Sequence, residues 1–260
     1  MIPFTSPVLA GFPGIRHGFF GRRGGVSRGP FATANVGLRS GDRPEAVREN
    51  RRRAAAALGV EATRLVTARQ VHGRFCAAVT CPWGPEEAPE ADALFCERPG
   101  IAIGVTTADC APVLLADPAA RRVAAVHAGW RGLLAGVLEA ALHEFFVRGS
   151  RPSDIHAVIG PCIGPRSYEV GAEFERTFLA TDPATAPFFR PGRSDDRRFF
   201  DLPGCVRARL VRAGLPEGNI DHLAFDTCRE DRLFFSYRRS CLRGETQFGV
   251  QLSSILLVAE

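Results

Sequence analysis

The chain has 260 residues, 45% hydrophobic and 23% charged, with a formal charge of +5. That suffices for a full hydrophobic core, and no stretch approaches the roughly 18 uninterrupted apolar residues of a membrane span. All 33 basic residues are arginine and intermix with acids, which argues against a nucleic-acid-binding face.

Pro and Gly interrupt the opening MIPFTSPVLAGFPGIRHGFF, so it has no leader-like apolar run, and a cytoplasmic protein is expected. Asp42 is a candidate N-cap, followed by Pro44 and the helical run EAVRENRRRAAAALG, which Gly59 closes. Apolar, β-prone runs follow at LVTARQVHG, ALFC, IAIGVTTADC, PVLLAD and VAAVHAG. Asp117 and Pro118 begin the turn of a hairpin between the last two.

WRGLLAGVLEAALHEFF places Leu134, Leu138, Leu142 and Phe145 at helical spacing, with Gly149 beyond its end. IHAVIG reads as a strand. YEVGAEFERTFLA and DLPGCVRARLVRAG read as helices, the second capped by Asp201 and stopped by Gly214. HLAFDTC, RLFFSY and SSILLVAE predict a strand-rich C-terminal part. This alternation of strands and helices predicts an α/β fold. With no repeat, linker or shift in composition, residues 1–260 are expected to form one domain.

Eight cysteines form no CxxC pair and no tight framework, so most are expected to be small buried hydrophobes. Cys110 differs. RQVHG around His72, TTADC ending at Cys110 and VHAGWRG around His127 each follow β-prone residues and precede small ones. Such strand ends project a side chain from the rim of a sheet, and Gly73, Gly129 and Gly132 leave room beside them. Two imidazoles and a thiolate form a three-ligand set that zinc accepts, leaving a fourth position for water or substrate. The spacing is not diagnostic by itself. Cys110 as a core thiol and the histidines as hydrogen-bonded structural residues is the competing reading.

Asp109 is a candidate to orient a ligand histidine or move a proton, with a local turn contact as the alternative. Arg131 stands where a strand passes into a helix and would suit an anion. The glycine-arginine loop GRRGGVSRGP lacks the GK[ST] of a nucleotide loop. His143 and His156 read as structural, and His17 as a possible pocket residue.

HGFFGRRGGVSRGPFATANVG, GDRPEAVRENRRR, RQVHG, ADAL, TTADCAPVLLAD, AAVHAGWRGLLAGVLE, IGPCIGPRSYEVG and FFSYRRS together resemble the YfiH-like family, whose members have been called laccase-domain proteins, polyphenol oxidases and purine nucleoside phosphorylases. The resemblance runs from about residue 16 to the C-terminus. It implies a mixed-sheet α/β sandwich and zinc ligands at His72, Cys110 and His127. It also implies phosphorolysis of adenosine, inosine and methylthioadenosine, and hydrolytic deamination of adenosine. Purine nucleoside and phosphate are then the partners, with Asn35 and Arg131 as substrate contacts and Asp109 and Cys110 as catalytic residues. ATANVG departs from the family's usual SLNLG but keeps Asn35.

Three rival functions stand beside this one. A copper polyphenol oxidase would need several coppers and many paired histidines, whereas six histidines are present and none forms a His-x-His pair. A Cys-His hydrolase would use Cys110 as nucleophile. A nucleotide-sensing or scaffold module would bind without turnover.

Overall fold

The computed structural model describes residues 1–259. In chain order the strands are β1 (Ile15–Phe19), β2 (Leu65–Thr67), β3 (Cys76–Val79), β4 (Ala93–Cys96), β5 (Ala102–Thr107), β6 (Ala111–Asp117) and β7 (Arg122–Ala128). They continue as β8 (His156–Ile159), β9 (Glu169–Gly171), β10 (Phe189–Pro191), β11 (Arg197–Phe200), β12 (Ile220–His222) and β13 (Gln251–Leu257). The helices are α1 (Pro7–Ala10), α2 (Pro44–Ala57), α3 (Trp130–Ala135), α4 (Val137–Phe146), α5 (Ala172–Thr181), α6 (Leu202–Arg212) and α7 (Tyr237–Leu242).

Two mixed sheets stack face to face. One has the order β1-β13-β5-β2, the other β12-β8-β6-β7-β4-β3. Because successive side chains in a strand point to opposite faces, each apolar strand serves two cores. Leu94 and Cys96 of β4 pack between the sheets with Val66, Ile103 and Ile255. Phe95, between them in sequence, faces the other way onto Leu138, Leu142 and Phe145 of α4 and Val206 and Leu210 of α6. On the outer face of the four-stranded sheet, Leu65, Leu252 and Leu256 meet Ala54 and Ala55 of α2. The result is a helix–sheet–sheet–helix sandwich, as expected of an α/β chain. A small sheet, β10-β11-β9, supports an aromatic cluster in which Phe189 and Phe200 stack at 4.7 Å.

Several elements differ from the sequence reading. The helix expected over residues 130–146 is two, because Gly136 adopts a left-handed φ of 94° and turns the chain between α3 and α4. Arg43, not Asp42, occupies the cap position of α2, and Asp42 instead accepts from Ser27 Oγ and Asn35 Nδ2. YEVG contributes β9 and only the following residues form α5. RLFFSY forms turns leading into α7 rather than a strand, since Phe234 and Phe235 are buried by a folded-back chain. Asp201 does cap α6, accepting from Gly204 N–H, and Gly214 follows it at φ 99°.

Candidate metal centre

The β6–β7 hairpin builds the centre. Its register pairs Ala111 with Ala128, so Cys110, just before β6, reaches the same rim as His127 near the end of β7. The Asp117 carboxylate closes the other end of the hairpin by accepting from Ala120 N–H. His72 arrives from the turn between β2 and β3. One ligand atom from each of His72, Cys110 and His127 lies within 4.8 Å of the others.

The carboxylate of Asp92, immediately before β4, organises two of the three. Its oxygens accept the backbone N–H groups of Val71 (3.1 Å), His72 (3.0 Å) and Gly73 (2.7 Å). The same carboxylate stands 2.7 Å from Nδ1 of His127. Those bonds hold His72 at a left-handed φ of 60°, unusual for a residue with a Cβ. With Nδ1 of His127 committed to Asp92, Nε2 is the ring nitrogen left for a ligand. Burial pushes the Asp92 carboxyl up, but the His127 bond and charge and the backbone donors outweigh it, so it lies below its ordinary value.

Gly129 forms the floor. A Cβ there would stand 2.9 Å from His72 Cδ2, 3.0 Å from Cys110 Sγ and 3.6 Å from His127 Cε1. Burial would raise the Cys110 thiol, yet His127 and His72 bring it down to about 6. Burial would likewise lower His127, but the Cys110 thiolate and Asp92 hold it up at about 9. Without a metal, the pair is a thiolate facing an imidazolium.

The donor set and spacing fit a single metal ion. From ordinary Zn–N and Zn–S lengths, tetrahedral ligand atoms stand roughly 3.5 Å apart. Cys110 Sγ and His72 Nε2 are 3.9 Å apart, and the three ligand atoms all lie within 4.8 Å of one another, so a contraction of up to about an ångström would close the set.

The centre opens into a cleft of about 280 Å³ whose lining includes Trp130, Arg131, Tyr168, Tyr237 and Arg238. The Arg131 guanidinium lies 4.7 Å from the Trp130 ring, and that of Arg238 lies 5.4 Å from the Tyr168 ring. Arg238 Nη1 also donates to the Glu169 carbonyl. Phe174 backs both aromatic walls, 5.1 Å from Trp130 and 5.9 Å from Tyr168.

The other expected site residues fall in different places. Asp109 lines the cleft but touches no histidine of the trio; its oxygens accept from Thr227 Oγ1, Ser236 Oγ and the Arg238 N–H. Burial raises its carboxyl above the ordinary value against the pull of those donors. The carboxylate that orients a ring is therefore Asp92. Asn35 is outside the cleft lining, fully buried, and bonded to Ser40, Asp42, Gly37 N–H and Val250 N–H. Every donor and acceptor it has for substrate is engaged in fixing its own loop. Arg22 of the glycine-arginine loop likewise turns inward, to the Ala32 carbonyl and Asp231. His17 is buried in β1 and accepts from Ser6 N–H, while His143 lies in α4 and His156 begins β8.

Residues 16–258 match the family described as multi-copper polyphenol oxidoreductase laccase. A protein of Shigella flexneri named purine nucleoside phosphorylase YfiH is 42% identical over 86% of this chain and 88% of its own length. The chain belongs to the YfiH-like family. A purine nucleoside phosphorylase of Streptomyces coelicolor is 40% identical over 89% of this chain and 93% of its own. The crystal structure of YlmD from Geobacillus stearothermophilus superposes with a TM-score of 0.87 at 33% identity, covering 98% of this chain and 94% of that one. The sandwich is thus the YfiH-type fold. The family's two descriptions, oxidase and phosphorylase, ask for different chemistry from one rim.

Sequence reasoning singled out Gly129 as leaving room at this rim but did not assign a role to Asp92, Tyr168 or Arg238. Asp92 had a signal, an acidic residue directly ahead of the wholly apolar ALFC. Arg238, in α7, and Tyr168, just before β9, lie in segments that the resemblance includes, but the pairing of their side chains at the cleft comes only from the fold.

Proposed function

We propose that this chain is a zinc-dependent purine nucleoside enzyme. It would phosphorolyse adenosine, inosine and S-methyl-5'-thioadenosine and deaminate adenosine hydrolytically at the same site. The observation that carries this reading is the convergence of His72, Cys110 and His127 beside a cleft with two aromatic walls and two arginines. Relatives named purine nucleoside phosphorylase support the substrate class.

His72, Cys110 and His127 would hold the ion, with Asp92 fixing the tautomer of His127. When bound, the ion supplies Lewis acidity and positive charge beside the substrate. In phosphorolysis a phosphate oxygen attacks the anomeric carbon while the bond to purine N9 breaks. Arg131 and Arg238 would hold that phosphate, since a guanidinium presents paired donors to two oxygens. Trp130 and Tyr168 would flank the flat purine. In deamination, water adds at C6 and ammonia leaves. Asp109 serves both by holding the Arg238 backbone at the cleft.

A copper oxidase is less well supported. Among the described residues one group of three such ligands exists, where multicopper chemistry requires several centres. The only methionine, Met1, packs on the outer core with α2 and so cannot serve as an axial ligand. A Cys-His hydrolase has one observation in its favour, the thiolate–imidazolium pair of Cys110 and His127.

Elemental analysis of wild type and Cys110→Ala, with adenosine turnover measured with and without phosphate, tests the proposal. About one zinc per chain, lost in the variant together with adenine and inosine release, is expected. Turnover by metal-free protein would sink it, and labelling of Cys110 in metal-replete protein would favour the hydrolase.

A further inference from the structure

The strand that leads to His72 leaves its neighbour early. β2 pairs with β5 through Leu65 and Ala102, Val66 and Ile103, and Thr67 and Gly104; continued in that register, Arg69 would meet Thr106. Instead the backbone crosses to the six-stranded sheet. Arg69 N–H donates to the Pro89 carbonyl and Ala91 N–H donates to the Arg69 carbonyl, just ahead of β4. The crossing carries His72 to the rim, but it leaves Thr106 of β5 with no strand on that side.

The side chain of Gln70 takes the strand's place. Its Oε1 accepts from Thr106 N–H at 2.8 Å and from Thr106 Oγ1 at 3.0 Å, and its Nε2 donates to the Thr106 carbonyl at 2.8 Å. A side-chain amide offers both an acceptor and a donor, as a peptide group does, so one residue satisfies both backbone groups of Thr106. Gln70 stands two residues before His72, and Thr106 four before Cys110. These three bonds therefore join the segment that carries one candidate ligand to the segment that carries another. Asp92 ties the His72 turn to His127. Gln70 ties it to the strand of Cys110.

We propose that Gln70 is a positioning residue of the metal centre, fixing the His72 turn relative to Cys110. The inference rests on the reading of His72, Cys110 and His127 as metal ligands. Gln70 acts through the backbone on both sides of the gap and needs no contact with the ion. Ligands already held near their bound spacing give up less freedom when the ion arrives, so loss of the clamp weakens binding.

Zinc affinity, by competition with a chromogenic chelator, and the visible spectrum of cobalt(II)-loaded protein test this in wild type, Gln70→Met and Asn219→Ala. Methionine keeps the length of the side chain but cannot make the three bonds. Asn219 is the control, because its Nδ2 also holds backbone carbonyls, those of Ser153 and Ile155, in a segment that carries no ligand. Gln70→Met is expected to bind zinc about tenfold or more weakly and to shift the cobalt thiolate and ligand-field bands. Asn219→Ala is expected to match wild type in both. Wild-type zinc affinity and cobalt bands in Gln70→Met would overturn the role of Gln70 while leaving the metal centre standing, and an equal loss in Asn219→Ala would reduce that role to general destabilisation. A wild type that takes up neither metal would sink the ligand reading itself, and the proposal with it. Should Gln70→Met fail to fold, Gln70→Asn, whose amide stops one methylene short of Thr106, decides by the same two measurements.

Discussion

Asp92 and His127 are joined by a 2.7 Å contact between Oδ1 and Nδ1, and the carboxylate that makes it also ties down the His72 turn. One acidic side chain thus sets the ring orientation of one candidate ligand and the backbone of another. Both partners are buried, so their attraction is poorly screened by solvent.

Asp92→Asn keeps the shape but removes the charge that holds His127. Loss of such an outer carboxylate typically weakens metal binding by about 10–100-fold. Competition with a chromogenic chelator should show a loss of that size for zinc. Unchanged affinity would mean that the carboxylate acts on the fold alone.

Gly129 has φ −72° and ψ 161°, a conformation open to alanine, so only space forbids a side chain there. Gly129→Ala should therefore fold normally yet push His72 and Cys110 apart, lowering zinc affinity and nucleoside turnover at least tenfold. Gly218→Ala, whose Cβ would meet nothing within 4 Å, is the matched control. Equal metal content in the two variants would show that the centre has slack.

In metal-free protein Cys110 titrates near 6 instead of near 9, and His127 near 9 instead of near 6.5. The depressed thiol contributes stability that is present above pH 9 and lost as pH falls through 6. The raised imidazole contributes stability that is present below pH 6.5 and lost as pH rises through 9. Across the overlap the folded pair and the unfolded pair each bind one proton, so their opposite slopes cancel. Iodoacetamide should alkylate Cys110 with a midpoint near pH 6 while the pair adds little pH dependence to stability, and added zinc should suppress the labelling. A midpoint above pH 8 would rule out the thiolate–imidazolium pair.

What could be read from the chain differs by kind of information. His72, Cys110 and His127 were legible because each follows a β-prone run and precedes small residues, a local pattern. The hairpin that joins Cys110 to His127 was legible for the same reason, through Asp117-Pro118 between two buried strands. Asp92 and Arg238 were not, because their roles depend on partners 35 and 129 residues away in sequence. Gly136 was lost inside a continuous leucine spacing, which records the buried face but not a left-handed break. Asn35 was placed at the substrate through resemblance, while its buried amide bonds arise from packing that no motif displays.

Asp109 provides the sharpest test of how the cleft is held together. It sits at a left-handed φ of 94°, directly before Cys110, and collects Thr227, Ser236 and Arg238 around one buried carboxylate. Removing it leaves three donors without an acceptor, and each such orphan costs about 1–3 kcal/mol. Asp109→Ala should lose about 3 kcal/mol or more in urea unfolding. Asparagine tolerates the left-handed region, so Asp109→Asn should lose less stability, though its amide NH₂ would oppose one of the donors. If Asp109 acts by holding Arg238, the asparagine variant should raise KM for phosphate more than it lowers kcat. A fall in kcat with KM unchanged, and a shifted pH profile, would instead assign Asp109 a direct part in proton transfer.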